Sequence, residues 1–158
     1  MKKILLVLFV FISIVFKAQT LYFKCTTIST PSVYPWGVAT NWYQDPLCTT
    51  TSTSGIPTSA NDVVINSNAF TANGQKIDFD QASMACKGFT VSYAGTFTNV
   101  AMQSVPAKVL NVFGHFDLSA FDNSKLSISN WKGDIVFNPA NISTLNVLTG
   151  GKTLVLNS

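Results

Sequence analysis

Arginine and glutamate are absent: the charged side chains are 10 Lys and 7 Asp, with one His. Nucleic-acid binders neutralise phosphates with clustered Arg and Lys, so this composition argues against that class. Loss of Arg and Glu also removes two of the better helix formers. Thr, Ser, Val, Phe and Asn stand in their place, which favours strands joined by turns. A single histidine and three cysteines leave too few ligands for a zinc site, and no CxxC pair occurs. No metal or other cofactor is expected.

The one long apolar run is at the start. Met1-Lys2-Lys3 is a short basic segment, Ile4 to Phe16 is apolar apart from Ser13, and Ala18 is a small residue suited to cleavage. That is the layout of a secretory signal over residues 1–18. The run falls short of the roughly 20 residues that span a bilayer, and no membrane span is expected once it is cut. With Lys2, Lys3 and Lys17 removed, 7 Lys balance 7 Asp, so the mature chain is close to neutral. The expected location is secreted or cell-surface, or periplasmic if export stops there. Roughly 140 residues remain, enough for one domain with a real core.

Secretion permits disulfides. Cys48 with Cys86 is the expected pair, each beside a predicted strand; Cys25 with Cys48 is the competitor. Closing the 38-position loop from Cys48 to Cys86 would add up to about 4 kcal/mol.

Three stretches organise the chain: the signal, an amino-terminal cap and polar loop over 19–62, and regular strands over 63–158, with an incomplete carboxyl end expected. Pro31 to Pro46 carries three prolines and four aromatics and reads as a compact loop. Trp36 and Trp42 are read as buried plugs, with stacking platforms for sugars as the alternative. Thr49 to Asp62 is turn-rich and hydroxylated, and Val63-Val64-Ile65 then reads as a buried strand. Asn73-Gly74 predicts a turn, followed by alternation that sets Ile77 and Phe79 on one face and Lys76, Asp78 and Asp80 on the other.

After Cys86 the segments starting at Phe89, Leu110, Leu126 and Leu145 each open apolar–polar–apolar and pass a glycine; their starts are 21, 16 and 19 positions apart. Irregular steps of this size predict an all-β fold, a right-handed parallel β-helix or solenoid. In such a fold one turn of chain cannot bury its apolar face alone and neighbours must stack. Val91, Leu110, Val112, Leu118, Leu126, Ile128, Ile135, Phe137, Leu145, Val147, Leu154 and Leu156 are the expected inward residues. Gly95, Gly114, Gly133 and Gly150 are expected at corners in positive φ. An antiparallel β-sandwich is the competing architecture.

Asn41-Trp42, Cys48, "GIPTSANDVVI" from Gly55, "QKIDF" from Gln75, "ACKGFTV" from Ala85 and "LNVFGHFDLS" from Leu110 resemble the amino-terminal region of large secreted bacterial surface proteins. These are of the adhesin-like kind exported by type nine secretion. The resemblance implies β-helical coils and a surface role. Such proteins carry a carboxyl-terminal sorting domain; none follows Ser158, which implies a fragment or periplasmic export.

The chemistry is sparse. Asp78 and Asp80, two apart on one strand face, are the candidates for acid–base work or a hard cation, against solvated charges. His115 would have to serve any Ser-His-Asp group, yet no nucleophile-elbow motif is present. "LTGGKTL" lacks the first glycine of a phosphate loop. No catalytic residue is assigned. The expected function is a non-enzymatic structural or adhesion module, with a carbohydrate-binding or carbohydrate-active β-helix fragment as the alternative. Glycans or surface proteins are the expected partners, with self-association through an open end.

Overall fold

The computed structural model describes residues 18–120 and 122–138, and the backbone of 145–146. The segment 1–17 of the expected signal lies outside the described residues, as do the expected inward side chains of Leu145, Val147, Leu154 and Leu156, and Gly150. The described chain is all-β apart from one 3-10 turn, Ala39–Asn41. Its strands are β1 (Thr20–Phe23), β2 (Val33–Pro35), β3 (Trp42–Tyr43), β4 (Asp62–Ile65), β5 (Lys76–Asp78), β6 (Ser83–Cys86), β7 (Gly88–Val91), β8 (Val100–Ser104), β9 (Val109–Val112), β10 (Phe116–Asp117), β11 (Leu126–Trp131), β12 (Asp134–Phe137) and β13 (Leu145–Asn146).

They form three sheets, ordered β13-β10-β7-β4-β1-β3, β11-β8-β5-β2 and β12-β9-β6. Apart from β3, each strand pairs with the one three places on. Of the ten pairings among these strands, nine are parallel and only β1 with β3 is antiparallel. The two facing antiparallel sheets of a sandwich are not formed among the described residues.

Register explains the core. Leu21, Val63, Phe89 and Phe116 are successive partners in the first sheet, and all are buried. Tyr34, Ile77 and Met102 align in the second, and Met84, Leu110 and Ile135 in the third. Val63 pairs with Phe89, and Phe89 with Phe116, so one full repeat runs from one of these residues to the next. The expected step near 20 is therefore corrected to a longer one. Phe89, Leu110 and Leu126 lie in three different sheets, so their spacing does not separate paired strands.

Of the expected inward residues, Val91, Leu110, Val112, Leu118 and Leu126 are buried, and Ile128, Ile135 and Phe137 pack against the core half-buried. Val63-Val64-Ile65 is not buried throughout: Val63 and Ile65 point in, and Val64 is half-exposed on the outer face. Ile77 and Phe79 are both fully buried, as the alternation implies.

Gly95, Gly114 and Gly133 do not take positive φ, which among the described glycines is confined to Gly55 and Gly74. Their requirement is close approach. A Cβ on Gly114 would lie 2.7 Å from the Lys87 carbonyl, and one on Gly133 2.5 Å from that of Lys108.

Aromatic rings run through the interior. Trp42 meets Trp36 at 4.6 Å, Trp36 meets Phe79 at 4.8 Å, and Phe89 stacks on Phe116 at 5.5 Å. Edge-to-face and offset pairs of this kind add to area burial.

The amino-terminal end is closed by chain reversal. β3 folds back antiparallel on β1, and Thr51 then bridges Tyr43, with Gln44 N–H donating to the Thr50 carbonyl and Ser52 N–H to that of Trp42. Asp45 organises the intervening turn by accepting the N–H groups of Leu47, Thr49 and Thr50. The Thr50 N–H above all holds its carboxyl below the usual range.

Asn41 pins this cap from inside. It is fully buried; Oδ1 accepts from Thr26 N–H at 3.2 Å and Thr27 N–H at 2.7 Å, while Nδ2 donates to the carbonyls of Thr27 and Pro35, both at 3.0 Å. Buried backbone groups left without partners cost about 1–3 kcal/mol each. The Pro35 carbonyl is the buried one of the four, so Asn41→Ala should lower unfolding free energy by about 1–3 kcal/mol, read as a lower urea midpoint at constant slope.

Candidate functional site

The outer face of the first sheet gathers the most chemistry. Asp62 opens β4 and is the register partner of Gly88, the first residue of β7. His115 lies just before β10, and its carbonyl accepts the Phe89 N–H at 2.9 Å. Asp62, Gly88 and His115 thus form a row across three strands. Two glycines permit it: Gly114 lets its turn settle on the Lys87 carbonyl, and Gly88 leaves the space over which the imidazole lies. A Cβ on Gly88 would overlap Cε1 and Nδ1 of His115 and stand 2.6 Å from Asp62 Oδ1.

His115 Nδ1 faces Asp62 Oδ1 at 4.0 Å, and Nε2 is 3.1 Å from the Thr90 hydroxyl. Lys87 Nζ is 3.8 Å from the other carboxylate oxygen, Oδ2. Asp62 Oδ1 is shut off from solvent and has no hydrogen-bond partner among the described residues. Asp62 is 22 % exposed, His115 37 % and Lys87 50 %, so the row is reachable from one side. Among the described residues no three of His, Cys, Asp and Glu converge as metal ligands.

The expected candidates lie elsewhere. Asp78 and Asp80 share the outer side of the β5 segment but do different things. Asp80 is a strut: Oδ1 accepts the Gly37 N–H at 2.8 Å and Oδ2 the Gln81 amide at 2.7 Å, tying the cap loop to the next layer. Asp78 takes a long bond from Gln103 at 3.5 Å. Burial raises its carboxyl, the charge of Asp80 adds to this, and the Gln103 bond and Lys108 oppose it.

The stacking-platform reading of Trp36 and Trp42 is corrected, since they are 1 % and 0 % exposed. Their rings face Phe23, Phe79 and each other, and the Trp42 indole N–H donates to the Trp36 carbonyl at 2.8 Å.

The expected Cys48–Cys86 disulfide is also corrected: Cys25, Cys48 and Cys86 are free, buried thiols. Cys86 ends β6 facing the interior, in register with Val112 of the third sheet. Cys48 lies in the turn at the antiparallel edge of the first sheet, its Sγ 3.9 Å from the Phe23 carbonyl. The competing Cys25–Cys48 bridge is absent too. Burial pushes Cys48 up to about 11 and Cys86 up to about 12, and it raises Cys25 as well.

Nothing in the local sequence around His115 joins it to Asp62 or Gly88. The signal that would have joined them is the true repeat: Asp62, Gly88 and His115 are 26 and 27 positions apart.

Two outcomes follow. Thiol reagents should leave all three cysteines unmodified in the native chain at mildly alkaline pH and titrate all three in denaturant, because protonated, enclosed thiols are poor nucleophiles. Asp78→Asn keeps the acceptor for Gln103 and removes a desolvated charge. A raised carboxyl contributes stability below its unfolded value near 3.8 and loses it as pH rises. The variant should therefore melt higher than the parent at neutral pH, with the gain vanishing in acid below that value.

No protein-family model matches this chain, and neither a curated protein nor a solved structure matches it.

Proposed function

We propose that the three parallel sheets are the faces of a right-handed parallel β-helix, and that the chain is a secreted or cell-surface module with a structural or adhesive role and no catalysis. The observation that carries this reading is the register. Strands three places apart pair in parallel, and after β4 the layers succeed one another at nearly constant spacing, the step from Leu110 to Ile135 being among the shortest and that from Phe116 to Leu145 the longest. Stacked layers of this kind bury one continuous core that no layer could bury alone.

In the same reading, residues 1–18 direct export, 19–62 form the cap, and 63–158 supply the layers. The cap is built to terminate a stack. β3 and Thr51 occupy the edge of β1 that would otherwise template pairing with another chain. Asp80, the better placed of the two expected carboxylates, is occupied as a strut. The outer faces carry Lys, Asp, Thr, Ser and Asn, which suits contact with glycans or surface proteins.

Two measurements test this. Expressed with its own leader in a bacterial host, the chain should be exported and begin at Gln19 by amino-terminal sequencing. Incubated with a panel of polysaccharides, it should release no reducing ends; release that is lost in Asp78→Asn or Asp80→Asn would replace this reading with a carbohydrate-active one.

A further inference from the structure

We infer that Asp62 and His115, facing each other across Gly88, form a binding site for one borderline divalent transition ion such as Zn²⁺ or Ni²⁺. Imidazole nitrogen with carboxylate oxygen is the donor set such ions take.

Two polar atoms face each other here too far apart to share a hydrogen bond. Asp62 Oδ1 is buried and unpartnered, and His115 Nδ1 looks at it across 4.0 Å. The other ring nitrogen is anchored at 3.1 Å by the Thr90 hydroxyl. With Nε2–H donating to Thr90, the Nδ1 lone pair is directed at the carboxylate. A ligating histidine fixed through its second nitrogen is the usual supporting arrangement in metal sites.

The backbone holds the pair. Asp62 is in register with Gly88, and the His115 carbonyl is bonded to Phe89 N–H, so both side chains rise from one rigid sheet. Gly88 supplies the cradle, since any side chain there would occupy the space of the imidazole. Two donors each about 2.1 Å from zinc sit about 3.4 Å apart at a tetrahedral angle. Closing the gap by about 0.6 Å needs only side-chain rotation within a rotamer well. Water completes the coordination from the side of His115, which is 37 % exposed.

Lys87 is the competitor. Its ammonium stands 3.8 Å from Oδ2 of the same carboxylate and is half exposed. It must swing outward when a dication enters, which weakens the site. That sets a distinctive expectation: removing the ammonium should tighten binding.

Ni²⁺ and Zn²⁺ alone are the probes, titrated calorimetrically into the exported chain at neutral pH. One equivalent should bind. Asp62→Asn and His115→Gln should each weaken binding at least tenfold, Gly88→Ala should do the same by displacing the ring, and Thr90→Val should weaken it by about tenfold. Lys87→Met should strengthen it several-fold, a gain that misfolding cannot mimic. Absence of saturable one-to-one binding in the parent, undiminished affinity in His115→Gln, or no gain in Lys87→Met would each overturn the site. None of these outcomes bears on export or on polysaccharide turnover, so the site and the proposed function stand or fall separately.

Discussion

Everything in this molecule depends on the parallel, in-register pairing of strands three places apart. Because register is kept across the first sheet, like positions stack: Leu21 beside Val63, Val63 beside Phe89, Phe89 beside Phe116. A shift by one residue would send every one of these side chains to solvent, since strand faces alternate with a period of two. The buried rows therefore specify the pairing as much as the pairing creates the rows. The same constraint governs the outside, where it brings Asp62, Gly88 and His115 into one line.

Local polar pins keep the register from drifting where apolar contacts are few. Asn41 saturates four backbone groups inside the cap. Gln75 does the equivalent job at the turn before β5, accepting the N–H groups of Thr71 and Ala72 and donating to the Tyr34 hydroxyl. Asn61 holds Thr58 just ahead of β4. Fully satisfied buried amides rigidify a fold, and half-satisfied ones would weaken it. These three explain why a chain with few charges still sets its turns firmly.

Much of the fold was legible because strand physics is local. Alternation at Ile77 and Phe79, the abrupt "DVVI" after a polar run, and the turn at Asn73-Gly74 all correspond to observed structure. What was not legible is three-dimensional. The repeat was read as near 20 because each strand looks alike in sequence, whichever sheet it joins. Spacing says nothing of facing: Cys86 points into the interior row of Val112 in the third sheet, while Cys48 sits in a turn against Phe23 of the first. Trp36 and Trp42 are buried plugs, and their burial closes the sugar-platform alternative. The row at Gly88 escaped notice because a glycine gives no sign, in one sequence, that its missing side chain makes room for a neighbour's ring.

The reversed strand at the amino-terminal end gives the architecture a direction. Once Trp42 and Tyr43 run back along β1 and Thr51 bridges Tyr43, no further parallel strand can be added at that edge of the first sheet. Extra strands in the first sheet would have to be inserted after β1 rather than beyond β3. That sheet can therefore be lengthened from only one of its ends, as a ruler with one finished tip can.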